Sequence, residues 1–205
     1  MRAWIARLAA SIADQRDFLT QLDAAIGDAD HGVNMDRGFS AVVRELPDDE
    51  ELPGALLDRA GRVLIYQVGG AAGPLFGEMF RGAAESFARA HALDAETWLG
   101  GLRSALDGVQ RLGAAVEGDK TIVDALAPAV GAFERMVRSG KDLAAATGQA
   151  RDAAERGMKA TIPIQARKGR ASYLGPRSVG HQDPGATSTY LLFEALDRTV
   201  REAGA

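Results

Sequence analysis

Apolar side chains recur three and four positions apart along most of the chain, beginning with Trp4, Ile5, Leu8, Ile12, Leu19 and Leu22, while Asp14, Arg16 and Asp17 are left for the polar side. This spacing predicts a first amphipathic helix of about twenty residues. A second is expected from about Val33 to Glu45, stopping before Pro47, because a proline disfavours helical backbone in the residue ahead of it. The acidic "PDDEELPG" that follows reads as a solvated connection. Further helical patterns cover about 54 to 67, 75 to 90, 95 to 114, 121 to 139, 142 to 159 and 186 to 203, which makes about eight helices with mostly short joints. Alternating strand patterns are missing, apart from a few ambiguous residues in "RVLIYQV". The expected fold is therefore all-α, a helical bundle or barrel.

Composition sharpens that picture. Apolar residues make up 46% of 205 residues but aromatics only 6%, and the apolar set is dominated by Ala and Leu, as in close-packed helices. The length suits a single domain, 1–205, with a sizeable core. A formal net charge of −4 without a basic stripe argues against nucleic acid and against an anionic membrane surface. The absence of cysteine excludes disulfides and thiolate metal sites. No apolar signal core and no run of eighteen apolar residues is present, so the expectation is an unexported, cytoplasmic protein that does not enter a membrane.

Four glycine-containing stretches interrupt the helical pattern, and the first carries a cluster of like charges. In "LDAAIGDADHGVNMDRGF", Asp23, Asp28 and Asp30 are spaced five and two apart where a helix gives way to a loop. Hard divalent cations such as Mg²⁺ take carboxylate oxygens, and such an ion would offset the repulsion. Asx-turns or capping of the next helix by Asp28 and Asp30 would account for the spacing equally well. In "GGAAGPLFG", 69–77, glycines permit close approach to a ligand, Pro74 suits a first helical turn, and free N–H groups would face phosphate oxygens. Small residues for tight helix packing are the structural alternative. "GDKT", 118–121, is either an anion-favouring helix start or a simple N-cap. The long stretch 161–185, "TIPIQARKGRASYLGPRSVGHQDPG", has the length of a functional lid or binding segment.

Together, "LDAAIGDADHGVNMDRGF", "GGAAGPLFG", "GDKT" and "ARKGRASYLGPRSVGHQDPGA" resemble, in unbroken order, the nucleotide-binding L subunits of dihydroxyacetone kinases, in the branch that draws its phosphoryl group from the phosphotransferase system. The resemblance implies an antiparallel eight-helix barrel with an ADP site at one end. It implies that Asp23, Asp28 and Asp30 hold two Mg²⁺ ions and, with Arg170, form the catalytic set. His31, Gly32, Val33, Asn34, Ala71, Ala72, Gly113, Ile122, Arg170, Asp183, Pro184 and Gly185 would contact ADP. The family's glycine-rich turn has a serine where this chain has Ala72, so that hydroxyl is lost here. The implied activity, in glycerol metabolism, is a relay: resident ADP is phosphorylated by a phosphohistidine-carrying M subunit and the phosphoryl group passes to dihydroxyacetone on a K subunit. The substrate-holding histidine of the family belongs to the K subunit, so His31, His91 and His181 are not cast in that role. A homodimer and contact with a transcription regulator are compatible with the resemblance. So are an L-type subunit that exchanges ADP for free ATP, one serving another ketose, and a nucleotide-loaded regulatory module.

Overall fold

A computed structural model describes residues 1–47, 52–88, 90 and 93–204, and among these there are nine α-helices and no strand. They are α1 (Arg2–Asp14), α2 (Arg16–Ile26), α3 (His31–Glu45), α4 (Pro53–Gln67), α5 (Ala72–Phe87), α6 (Ala95–Gly113), α7 (Val123–Arg138), α8 (Leu143–Ala160) and α9 (Pro184–Ala203). A 3-10 segment, Arg170–Ser178, kinks at Gly175, where φ is 56°. The ambiguous "RVLIYQV" lies in α4 and its C-terminal residue Val68. Within "PDDEELPG", residues 48–51 lie outside the described residues.

The first predicted helix is two. It breaks at Gln15, whose ψ of 6° leaves the helical range, although its N–H still reaches the carbonyl of Ser11 at 3.1 Å. Both halves pack on α3 and α9, so the break bends one rod instead of adding a ninth to the ring. The remaining neighbours follow chain order, α3 on α4 through α8 on α9, and α9 returns to α1. Eight rods thus close a barrel, which is the expected architecture.

One continuous apolar core fills it. Trp4 stacks on Phe80 with centroids 5.6 Å apart, Trp98 meets Trp4 edge-on at 5.2 Å, and Phe87 meets Trp98 at 5.0 Å. Each such ring contributes about 1.5–3 kcal/mol by burial. The Trp4 indole N–H is satisfied by the carbonyl of Leu192 at 3.1 Å, which ties α1 to α9. Where α4 crosses α5, a Cβ on Gly61 would lie 2.6 Å from the carbonyl oxygen of Gly77, and one on Gly77 would lie 2.8 Å from that of Gly61. Only glycine at both positions allows the two backbones to come this close. No helix among the described residues is long and apolar enough to cross a membrane.

Candidate functional site

Up-and-down order brings α2, α4 and α6 to a finish at the end of the barrel where α3, α5, α7 and α9 begin. A cleft of about 290 Å³ opens between these ends. Its wall collects Asp23, Asp28, Asp30 and His31 from the α2–α3 joint, Ala71 and Ala72 from the start of α5, and Gly113 from the end of α6. Ile122, Arg170 and the Asp183–Pro184–Gly185 start of α9 complete the part the sequence indicated.

The three aspartates converge: one carboxylate oxygen from each lies within 4.8 Å of the other two. Oxygens on opposite sides of an octahedral Mg²⁺ stand about 4 Å apart, so the donor set fits a hard cation in type and spacing. Asp23 is buried, and its Oδ2 accepts hydrogen bonds from the backbone N–H groups of Asp30 (2.9 Å) and His31 (3.2 Å). It therefore caps α3 from the preceding helix. Asp30 occupies the N-cap position of α3, yet its own carboxylate makes no capping bond. Asp28 forms an ion pair with Arg170. Gly27 is required beneath the cluster, because a Cβ there would sit 2.0 Å from Asp23 Oδ1. Ala29, between Asp28 and Asp30, adopts φ 62°, a left-handed conformation that costs a non-glycine residue on the order of 1 kcal/mol.

His31 is buried with its Nε2 2.8 Å from Ser188 Oγ. Burial lowers its pKa to about 4 against the opposing fields of Asp23 and Asp30, so the ring is neutral at physiological pH. Asp183 caps α9, its Oδ2 accepting from the N–H of Ala186 at 2.7 Å. Burial, with Asp124 adding to it, raises its pKa to about 7.

Three of the indicated residues are not on the cleft wall. Gly32 is packed against α2, where a Cβ would meet the carbonyl oxygen of Arg16 at 2.0 Å. Val33 is exposed and points off the wall, and the Asn34 amide lies against Gly69 while accepting from Arg37 at 2.8 Å. The glycine-rich stretch divides its work: Gly69 to Ala72 line the cleft, whereas Gly73 and Gly77 set the close approach to α4.

Other wall residues were not named as ligand contacts from the sequence, although some lie in the stretches it singled out. Leu75, Phe76, Val109 and Ala115 give the cleft an apolar side. In "GDKT", Thr121 Oγ1 accepts from the N–H of Val123 at 3.2 Å, and both oxygens of Asp124 accept backbone N–H groups, from Gly118 (2.6 Å) and Thr121 (2.7 Å). Lys120, between them, is 1% exposed, and burial lowers its pKa. A buried lysine in a glycine turn gives no periodic signal that could have revealed it.

Residues 25–198 match the family model described as "DAK2 domain". The chain is 42% identical over 201 residues to the PEP-dependent dihydroxyacetone kinase, ADP-binding subunit DhaL, of Escherichia coli, covering 97% of this chain and 95% of that one. It is 36% identical over 199 residues to the ADP-binding subunit DhaL of PEP-dependent dihydroxyacetone kinase 1 of Listeria innocua, covering 96% and 93%. Its fold superposes on the dihydroxyacetone kinase from C. freundii in complex with AMP-PNP and Mg²⁺ with a TM-score of 0.69 at 26% identity, over 97% of this chain and 33% of that longer one. With the all-helical barrel and its carboxylate-lined end, these matches show that the chain belongs to the DAK2 domain family.

Proposed function

We propose that this chain is the ADP-binding subunit of a phosphoenolpyruvate-dependent dihydroxyacetone kinase. The observation that carries the reading is the pairing of opposite electrostatic features in one cleft. Three carboxylates converge on a point suited to a cation, and the amino-terminal ends of α3, α5, α7 and α9 surround it. Helix amino termini carry partial positive charge and unpaired N–H groups, which favour phosphate oxygens. A diphosphate bridged to a divalent metal satisfies both at once. The apolar side formed by Leu75, Phe76 and Val109 suits the flat face of a base.

In this reading Asp23, Asp28 and Asp30 hold two Mg²⁺ ions, and Ala71, Ala72, Gly113, Ile122, Arg170 and Asp183 to Gly185 contact ADP. His31, a neutral donor or acceptor pinned to Ser188, shapes the same wall. Gly32 and Asn34 act indirectly, by seating α3 on α2 and by supporting Gly69. Bound Mg-ADP supplies the acceptor and then, as ATP, the donor in a relay from a phosphohistidine on an M subunit to dihydroxyacetone on a K subunit. Phosphoryl transfer asks the protein mainly for positioning and charge neutralisation, which the carboxylate-held metal and Arg170 provide. Exposed Val33, Tyr66, Leu112, Val116 and Tyr173 each lie within a few residues of the cleft wall and give both partners an apolar rim to dock on.

Reconstitution with the K subunit and the phosphorylated donor, omitting one component at a time, tests this. Transfer should require both partners and be abolished by Asp30→Ala with helicity retained. Turnover of dihydroxyacetone with ATP by the isolated chain would overturn the relay, and a need for only the K subunit and ATP would replace it with exchange of free nucleotide.

A further inference from the structure

The crossover between α8 and α9 delivers Lys168, Gly169, Arg170 and Ala171 to one side of the cleft and Asp183 to another. Its two ends come together at one side chain. Lys120 Nζ donates to the carbonyl oxygens of Thr161 (2.7 Å), Ile164 (3.2 Å) and His181. A lysine ammonium has three N–H donors, and all three are spent on this one segment. Lys120 itself stands in a left-handed conformation, φ 63°, that non-glycine residues rarely adopt. The backbone is held there with the ammonium buried under three carbonyls, which are its hydrogen-bond partners, while the carboxylates of Asp183 and Asp124 act on it only through their fields. Such an arrangement is that of a bound cation whose ligands are backbone dipoles.

The contacts around this point transmit its position outward. Thr161, whose carbonyl binds the ammonium, also accepts through Oγ1 the N–H of Asp183 at 3.0 Å, directly ahead of α9. The N–H of Gly180 donates to the carbonyl of Ile162 at 2.8 Å and closes the base of the loop. On the α7 side, the carbonyl of Asp119, next to Lys120, accepts the N–H of Arg167 at 3.0 Å, three residues before Arg170. Arg170 then reaches Asp28 across the cleft.

We propose that the Lys120 ammonium is a tethered cation that fixes the 161–181 crossover and thereby places Arg170 and Asp183 on the nucleotide. Lys120 is a positioning residue: its Nζ is used up on carbonyls and acts on the phosphates only through the segment it holds. This rests on the reading of the cleft as a Mg-ADP site, and its test has a second readout that does not.

Lys120→Ala removes the cation and leaves room for a small one. Mg-ADP affinity should fall about tenfold or more, in keeping with the loss of several charge-assisted hydrogen bonds. In nucleotide-free protein, trypsin should cleave faster after Arg167, Lys168 and Arg170. Ammonium or ethylammonium chloride should restore both properties, whereas equal concentrations of tetramethylammonium chloride, which has no N–H donor, should restore neither. Lys120→Met, similar in size and without charge, should show both defects with no rescue, and it serves if the alanine variant does not fold. Wild-type affinity and cleavage in either folded variant would overturn the proposal, as would defects in Lys120→Ala that ammonium leaves unchanged. If the wild type binds no Mg-ADP, the reading of the cleft fails, while the cleavage and rescue still decide the role of Lys120.

Discussion

The two ends of the barrel solve the same problem in different ways. At the end where α1, α4, α6 and α8 begin, two helices carry local caps, Asp94 accepting from Thr97 and Asp142 from Ala145, each at 2.8 Å, while Pro53 starts α4 and α1 has no side-chain cap. At the cleft end, Asp30, Ala71 and Ile122 precede α3, α5 and α7 without a capping bond from their own side chains. There α9 is capped by its own Asp183, α3 by Asp23 of the preceding helix and α7 by Thr121 Oγ1 on the N–H of Val123, while α5 has no side-chain cap. Among the described residues, the non-glycine positions with positive φ, Ala29, Ala114 and Lys120, all lie on or beside the cleft. At the far end the capping side chain is that of the N-cap residue itself, whereas at the cleft end α3 is capped from another helix, α5 is left uncapped, and strained backbone lies alongside. The contrast sets the cleft end apart in its backbone chemistry.

The strongest way to probe the division is to damage the core between the two ends. Phe80→Ala removes the ring stacked on Trp4 and edge-on to Phe39, and should cost about 3–5 kcal/mol in denaturant titrations. The Mg-ADP dissociation constant of the folded fraction should stay within about twofold, since less than 0.5 kcal/mol is expected to reach an independent site. A large affinity loss would show that the ends are not independent of the core.

A second effect belongs to the cleft end and is read by pH in metal-free, nucleotide-free protein. Between pH 6.5 and about 4 the unfolded chain takes up a proton that buried His31 refuses, so this residue makes stability fall as pH falls. Asp183 works the other way. Between pH 3.8 and about 7 the folded state keeps a proton that the unfolded chain releases, so stability falls as pH rises. The two slopes oppose each other over nearly the same window. Asp183→Asn keeps a good N-cap and removes one slope. Its Tm should drop more steeply below pH 6.5 than that of the wild type, and parallel profiles would contradict the burial assigned to Asp183.

Much of this was legible in the chain. Helix positions follow the apolar spacing to within about three residues, the usual uncertainty of element ends, because nearly every helix keeps one face on the core. The break at Gln15 was not legible, since no Pro or Gly marks it and the apolar face continues beyond it. The carboxylates and glycines of the cleft stood out as sequence-local clusters. Capping of α3 by Asp23 did not, because it acts across seven and eight residues through a turn. Neither did Gly32, whose neighbour is the backbone of α2, nor Lys120, whose three acceptors lie more than forty positions away in the chain.

Smaller effects separate the ends further. Asp142→Ala should cost about 1 kcal/mol of stability, as loss of a helix cap does, and leave ADP binding unchanged. Ala72→Ser places a hydroxyl in the first turn of uncapped α5 and should slow ADP dissociation by the equivalent of at most about 1 kcal/mol, one net hydrogen bond. Stopped-flow release of a fluorescent ADP analogue checks the second, and faster release would contradict it.

The central claim is that carboxylates and helix termini share one ligand, and calorimetric titration of ADP into nucleotide-stripped protein tests it most directly. With Mg²⁺ present the account predicts saturable binding of one ADP per chain, lost in excess EDTA and in Asp30→Ala. Equal affinity with and without Mg²⁺, or no binding in its presence, would contradict it.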